Sequence, residues 1–372
     1  MRFIIFATVF LGVMSLFTLY ISKRFINKLY IQKKMKFFIN VFLLFNLLGV
    51  IGYIFGRYYP FIPNWLYFLL SIPIGIIFLL FVATLFYDFF SLLINKVSMD
   101  EKRRSFFKKS LDISALVLAT SVNAKAMYNA KTVELEKVDI KIKDLKRSYK
   151  IVQLSDIHIG GLIDKKFIAS IVKRVNALKA DIVVITGDLV DTNIKYAKGA
   201  LDQLKNIDSK YGNYFIVGNH EYFHGVQSII DYVNTIGFKT LENESVYIGE
   251  DKMGFNLLGV YDLMGKRVDS YIPNIEKALK KCDDDSAKIL LAHQPKYIEE
   301  IENKGIDLVL SGHTHGGQIF PFNFLVKLQQ PYIKGLHQHN DTTQIYVNKG
   351  TGFWGPPMRL GASSEITLIT LS

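Results

Sequence analysis

Hydrophobic and polar positions divide this chain into two textures. Phe3 to Ile21 is an uncharged apolar run, Phe37 to Phe55 is a second, and Phe61 to Ile94 is a third with Asp88 near its end. Crossing ~30 Å of hydrocarbon takes about 20 such residues, so each run predicts a membrane-spanning helix. Pro73 inside the third is tolerable there. A fourth segment, residues 110–126, has only a short, weak apolar core from Ile113 to Val122, with Asp112 before it and Lys125 after it. From Lys137 the pattern changes. Val138-Asp139-Ile140-Lys141-Ile142 alternates with the period of a half-buried strand. Strand-length apolar runs follow at Lys150–Leu154, Ile182–Ile185, Tyr214–Val217, Ile289–Leu291 and Leu308–Leu310. Helical patterns lie between them at Phe167–Leu178, Ile229–Ile236 and Ile275–Leu279. Such alternation predicts an α/β domain with buried strands. Gln344–Val347 and Ile366–Leu371 predict closing strands around a Gly/Pro-rich loop at Gly350–Pro357. The expected division is a membrane region over 1–130, with spans at about 3–21, 37–55 and 61–94, and a globular domain over 131–372.

Charge sharpens that division. The 372 residues carry a formal net charge of +12 and a pI near 9.4, which by itself invites nucleic acid. Residues 1–130 hold 15 Lys+Arg against 4 Asp+Glu, leaving 30 against 29 for the rest, so the basic excess belongs to the apolar part and no nucleic acid is expected. Lys23, Arg24, Lys28, Lys33, Lys34 and Lys36 crowd the first loop, and Lys96, Lys102, Arg103, Arg104, Lys108 and Lys109 follow the third span. The second loop has only Arg57. The positive-inside rule then places the first and third loops in the cytoplasm, with Tyr58, Tyr59, Trp65 and Tyr67 at the outer interface. Arg103-Arg104-Ser105-Phe106-Phe107-Lys108 resembles a bacterial twin-arginine export signal, and Ala124-Lys125-Ala126 resembles its cleavage site. These cues predict that the globular part lies on the outer (periplasmic or extracellular) face of a bacterial inner membrane, tethered by several passes; the alternative is an ordinary basic inner flank followed by a surface helix. The single cysteine, Cys282, excludes an internal disulfide framework.

All eight histidines lie after residue 157, and most stand where an apolar run ends. Ser155-Asp156-Ile157-His158 follows the first run. Thr186-Gly187-Asp188-Leu189-Val190-Asp191 follows the second, Gly218-Asn219-His220-Glu221 the third, and Ala292-His293-Gln294 the fourth. Ser311-Gly312-His313-Thr314-His315-Gly316-Gly317-Gln318 follows the fifth. Ligands gather at the carboxyl ends of strands in α/β sheets. Carboxylate, amide and imidazole donors suit divalent ions, and there are too many here for one tetrahedral ion. Two ions a few ångströms apart would clamp both oxygens of a phosphoryl displacement and acidify a bridging water.

The ordered blocks D-x-H, G-D-x-x-D, G-N-H-E, H and G-H-x-H resemble the calcineurin-like metallophosphoesterase superfamily over residues 150–318. The G-H-T-H-G-G-Q ending and residues Gly350 to Arg359 resemble its bacterial membrane-associated, twin-arginine-exported subgroup. That resemblance implies a four-layer α-β-β-α sandwich. It implies two divalent ions (Mn, Fe, Zn or Mg), the first held by Asp156, His158 and His315, the second by Asn219, His293 and His313, with Asp188 bridging. His220 would act on the transition state or leaving oxygen, and Asp191 would orient it. The implied reaction is cleavage of a phosphate ester or pyrophosphate by metal-bound hydroxide. The tether suggests a lipid-linked substrate, such as a phospholipid, a prenyl pyrophosphate or a UDP-2,3-diacylglucosamine-like molecule. The competing class is a membrane sensor or scaffold that keeps its metals without catalysis. His224 is expected at the pocket wall, on the surface or packed inside, and His337 and His339 in a loop, with substrate contact the lesser alternative. Arg359 fits a phosphate contact or a structural ion pair equally, and Asp88 and Asp112 need no function.

Overall fold

The structure, a computed structural model, describes residues 2–58, 62–143 and 145–372. Tyr59 and Phe61, placed above at the interface and at the start of a span, lie outside them. The chain forms two compact units, Met1–Lys131 with Gly355–Leu360, and Thr132–Trp354 with Gly361–Ser372.

Among the described residues of the first unit four α-helices follow one another, α1 (Arg2–Arg24), α2 (Lys33–Tyr58), α3 (Asn64–Lys96) and α4 (Glu101–Ala130). Among the described residues three helices are long and apolar enough to cross a membrane, corresponding to α1, α2 and α3. Their exposed side chains include Ile4, Phe38, Phe45, Leu69 and Phe86, as lipid-facing surfaces require. The buried acids are paired, as charges at membrane depth must be. Asp88 accepts from Arg24 Nε at 2.7 Å, Tyr20 Oη at 2.7 Å and Lys28 Nζ at 3.2 Å, tying α3 to the end of α1. Asp112 of α4 accepts from Tyr87 Oη at 2.8 Å and the Tyr30 amide at 2.7 Å. Both acids therefore hold helices together.

The weak fourth segment is the middle of the continuous helix α4. Asp100 caps it by accepting from the Arg103 amide. Arg104 donates to the carbonyls of Asn95, Val97 and Met99, so half of the arginine pair closes the α3–α4 turn. Further along, the Arg359 amide donates to the Ala126 carbonyl at 2.8 Å, and Asn129 donates to the Arg359 carbonyl. The Arg359 side chain is completely buried.

The second unit contains two six-stranded sheets. The first has the order β1 (Val133–Ile140), β12 (Ser364–Leu371), β2 (Tyr149–Leu154), β3 (Ile182–Thr186), β4 (Asn213–Ile216), β5 (Phe238–Thr240). The second has the order β10 (Gly335–Gln338), β11 (Gln344–Val347), β9 (Leu308–Ser311), β8 (Lys288–Leu291), β7 (Phe255–Gly259), β6 (Glu244–Ile248). β2 to β5 run parallel in one sheet, and β7, β8, β9 and β11 run parallel in the other; β12 against β2, β6 and β10 supply the antiparallel pairs.

One core contains inward side chains of both sheets, including Ile151, Val184 and Ile216 from the first and Leu257, Leu291 and Leu310 from the second. Each such fully buried side chain adds about 1.5–3 kcal/mol. The outer face of the second sheet packs Leu258, Leu290 and Val309 against Ala278 and Ile298. The helix Lys165–Ala177 buries Ile168, Ile171, Val172 and Val175 at helical spacing, and Val226–Thr235 buries Val226, Ile229, Ile230 and Val233. Strands buried on both faces explain the unbroken apolar runs. The alternating strand begins at Val133, earlier than the pattern predicts. His337 lies within β10 and not in a loop. β5, β6, β7 and β10 carry no clear run and escape the sequence pattern.

Candidate metal centre

Parallel strands in the middle of both sheets deliver their carboxyl ends to one place. Gln153 is buried there, and its amide donates to Thr186 Oγ1 and to the Ser311 carbonyl, joining β2, β3 and β9 across the two sheets. Beyond it the chain turns sharply. Asp156, His158, Asp188, His313 and His315 all have left-handed backbone, with φ of 50°, 56°, 50°, 68° and 50°. Side chains with a Cβ adopt this at a cost of ~1–3 kcal/mol each, a strain that gathers at functional sites. Backbone bonds hold it: the Asp156 amide donates to Gly187 O at 3.0 Å, His158 to Asp188 O at 3.0 Å, and His313 to Asp156 Oδ2 at 2.9 Å. A Cβ at Gly218 would collide with Asp188 Oδ1, and one at Gly312 with Asp156 Oδ2, so only glycine lets these turns pass so close.

Three groups of side chains result, each within metal-ligating range. They are Asp156 with His158 and His315, Asp188 with His293 and His313, and His158 with Asp191 and His220. In the first, His158 Nε2 lies 3.0 Å from His315 Nε2, and His315 Nε2 lies 3.3 Å from Asp156 Oδ1. In the second, His293 Nε2 lies 3.3 Å from Asp188 Oδ2 and 3.2 Å from Asn219 Oδ1. Asp188 Oδ2 also lies 4.0 Å from His158 Nε2, so this carboxylate stands between the two groups. Metal–ligand bonds of about 2.1 Å set neighbouring donor atoms roughly 3.0–3.4 Å apart, which these spacings match. His293 Nδ1 contacts the Thr186 carbonyl at 2.7 Å, which fixes the tautomer with Nε2 turned to the cluster.

The electrostatics suit cations. Burial opposes a charge on Asp188, but His293 and then His220 hold its carboxyl well below the usual carboxylate range. Asp156 is also depressed, with His315 overcoming the effect of burial. Burial, then neighbouring imidazoles, push His158 and His313 down to about 3, so both offer neutral nitrogens. Burial disfavours a proton on His293, but Asp188 beside it pulls its pKa well above the ordinary value. The second group thus attracts positive charge, and a metal competes with that proton. Donor chemistry, spacing and field all fit divalent ions.

His220 is arranged differently. Its Nδ1 lies 2.7 Å from Asp191 Oδ1, its amide donates to Asp188 Oδ1 at 2.8 Å, and its Nε2 lies 3.9 Å from Asp188 Oδ2. His224 is half-buried, and its Nε2 approaches the same Asp191 oxygen at 3.3 Å. Sequence reasoning also passed over Glu221. Fully buried, it accepts from the amides of Asp188 at 3.0 Å, Val190 at 3.0 Å and Gly218 at 2.6 Å, welding two ligand-bearing turns together. Burial, then the Asp188 charge, push its pKa up to about 8. Asp262, buried past the end of β7, accepts from the Gln294 amide group at 2.9 Å, next to His293. β7 carries no clear apolar run, so the sequence pattern gives no signal for the Asp three residues past its end. Trp354 and Phe223 flank His220, with ring centroids 6.2 Å and 5.9 Å from it. His337 and His339 instead meet Tyr332.

Residues 149–317 match the family model described as Calcineurin-like phosphoesterase. A metallophosphoesterase of Helicobacter pylori strain J99 is 42% identical over 311 residues, covering 83% of this chain and 83% of that protein. One of Campylobacter jejuni is 36% identical over 375 residues, covering 100% of this chain and 99% of that one. A zebrafish (Danio rerio) protein named as a transmembrane protein with a metallophosphoesterase domain is 33% identical over 326 residues, covering 83% of this chain and 74% of its own length.

Proposed function

Because the chain belongs to the calcineurin-like metallophosphoesterase family, hydrolases of phosphate esters, we propose that it cleaves a lipid-linked phosphate ester or pyrophosphate at a two-metal centre on the outer face of a membrane. The observation that carries the reaction is the convergence of two Asp/His groups on the single carboxylate of Asp188. Asp156, His158 and His315 would hold one divalent ion, Asn219, His293 and His313 the other, and Asp188 both. When bound, such ions polarise a phosphoryl oxygen and lower the pKa of water.

The chain's own residues do the rest. Asp191 accepts from Nδ1 of His220, which turns the opposite nitrogen, Nε2, toward the cluster. Nε2 can then carry a proton to the leaving oxygen, and the Asp191 carboxylate steadies the imidazolium. His224 steadies Asp191 in turn. Phe223 and Trp354 narrow the approach to His220.

The chain is membrane-associated, and the outward placement rests on α4. Asp112 lies beside Tyr87 of α3, while Ala126 bonds Arg359 in the segment whose Met358 faces Gly75 of α3. α4 thus runs back along α3 from one end toward the other, with Ile113, Val117 and Leu118 exposed as lipid-facing side chains. Such a path would carry the chain from the basic third loop to the opposite face. Alkaline phosphatase fused after Ser372 is expected to be active and green fluorescent protein dark; the reverse pair would put the catalytic unit inside.

For the reaction, purified manganese-loaded protein is expected to hydrolyse bis-p-nitrophenyl phosphate and lipid phosphates in vesicles. Asp188→Ala and His220→Ala should each lower the rate by about 10²–10⁴-fold. Equal inactivity of wild type and both variants across metals would favour a metal-retaining sensor or scaffold.

A further inference from the structure

The segment that follows His315 is unlike any other loop of the second unit. Between Ile319 and Gln330 it displays Phe320, Phe322, Phe324, Leu325 and Leu328, whose exposures run from 43% to 81%. Soluble surfaces rarely gather such a patch without a partner for it. The segment is also held at both ends. At its start, Gln318 and Trp354 exchange hydrogen bonds, Nε2 to the Trp354 carbonyl at 2.7 Å and the Trp354 amide to Oε1 at 3.0 Å. Trp354 is the aromatic beside His220, so the patch is continuous with the mouth of the metal centre. At its end Gln330 is buried and accepts from the Lys296 amide at 3.0 Å, and the Ile333 carbonyl accepts from Thr314 Oγ1 at 2.6 Å. Thr314 stands between His313 and His315. The apolar side chains are therefore presented on a fixed support.

We infer that residues 319–330 are a lip that inserts into the bilayer surface and seats the mouth of the metal centre on the lipid. Charge names the occupant. From Leu308 to Asn340 there is no Asp or Glu, and the only charged residues are Lys327 and Lys334, both exposed. An apolar patch with lysines at its rim suits an anionic lipid interface, where apolar tips enter the acyl boundary and ammonium groups stay at the headgroups. The same chain has three helices able to cross a membrane, so a bilayer is always at hand. The inference rests on the lipid-linked substrate proposed above and gives that substrate its route, sideways from the bilayer past Trp354 to His220.

The test uses the full chain in phosphatidylglycerol-containing proteoliposomes. In a Cys282→Ser background, a nitroxide label on Leu328→Cys is expected to collide with oxygen more than with a water-soluble nickel chelate. The same label on Tyr196→Cys, exposed on the helix Ile194–Leu201, should show the reverse. Equal nickel access at both positions overturns the inference. So does an immobilised label shielded from both reagents, which would mean a protein partner or a second copy. A Phe322→Ser, Phe324→Ser, Leu325→Ser, Leu328→Ser variant should keep bis-p-nitrophenyl phosphate hydrolysis within about twofold and lose at least about tenfold on vesicle lipid phosphate. Equal lipid turnover by the variant sinks the lip. Oxygen access at residue 328 without lipid turnover by wild type upholds the lip and sinks the lipid substrate.

Discussion

At the scale of single residues the centre depends on groups that are not themselves ligands. Glu221 holds three buried amides, two from the turn bearing Asp188 and one from the turn bearing Asn219. Replacing it with alanine strands all three, and each unsatisfied buried group costs about 1–3 kcal/mol. Glu221→Ala is expected to lower the melting temperature and metal content together, measured by calorimetry and elemental analysis. Asp191→Asn and His224→Phe should instead leave melting temperature and metal content unchanged and lower the rate. Both should retain two equivalents of metal, with kcat reduced by roughly 10–100-fold for the asparagine and less for the phenylalanine. Loss of metal from either variant would make the pair a scaffold and not a device for His220. The candidate donors were legible in the sequence because each stands just after an apolar run. His224 was not, because four residues past His220 its direction depends on a short helix, Glu221–His224, that only packing places over Asp191.

At the scale of elements, β2, β3, β4, β8 and β9 announce themselves as apolar runs and the edge strand β1 by its alternation, whereas β7, although buried throughout, and the edge strands β5, β6 and β10 do not. β3 reads IVVIT and is buried throughout, whereas β10 reads GLHQ and alternates between half-buried and exposed, leaving no apolar run to recognise. α4 extends beyond the segment that its apolar core marks in the sequence. Its weak apolar core suggested a short signal-like segment, yet one helix of 30 residues continues through it. Tertiary partners supply what its composition lacks, since Asp112 accepts hydrogen bonds from the Tyr87 hydroxyl and the Tyr30 amide. If α4 crosses the apolar layer, Val117→Lys places a charge on its exposed face near the middle, at a cost of about 2.5–3.5 kcal/mol. The expected result is loss of external phosphatase activity in the Ser372 fusion. An unchanged fusion would mean that α4 does not cross.

At the scale of the whole molecule, two units of different chemistry share one chain. Metal should stabilise only one of them. Binding to the folded state alone contributes about 2.7 kcal/mol when the ion stands at 100 times its dissociation constant. Chelation is therefore expected to lower the melting transition of the second unit, and excess manganese should restore it, while the helical unit melts unchanged. A shift in both transitions would contradict the division.

Composition and order along the chain were enough to set the apolar, basic part apart from the α/β part and to mark the candidate donors that the structure brings together. These are local properties: hydropathy is summed over neighbours, and the ligands fall at strand ends. The meeting of those strand ends was decided elsewhere. Donors from Asp156 to His315 share one site because two sheets pack face to face and Gln153 joins them at the end where the chain turns. The left-handed turns, the hold of Glu221 on two loops and the apolar lip beside Trp354 are consequences of that packing, and no run of neighbouring residues encodes them singly.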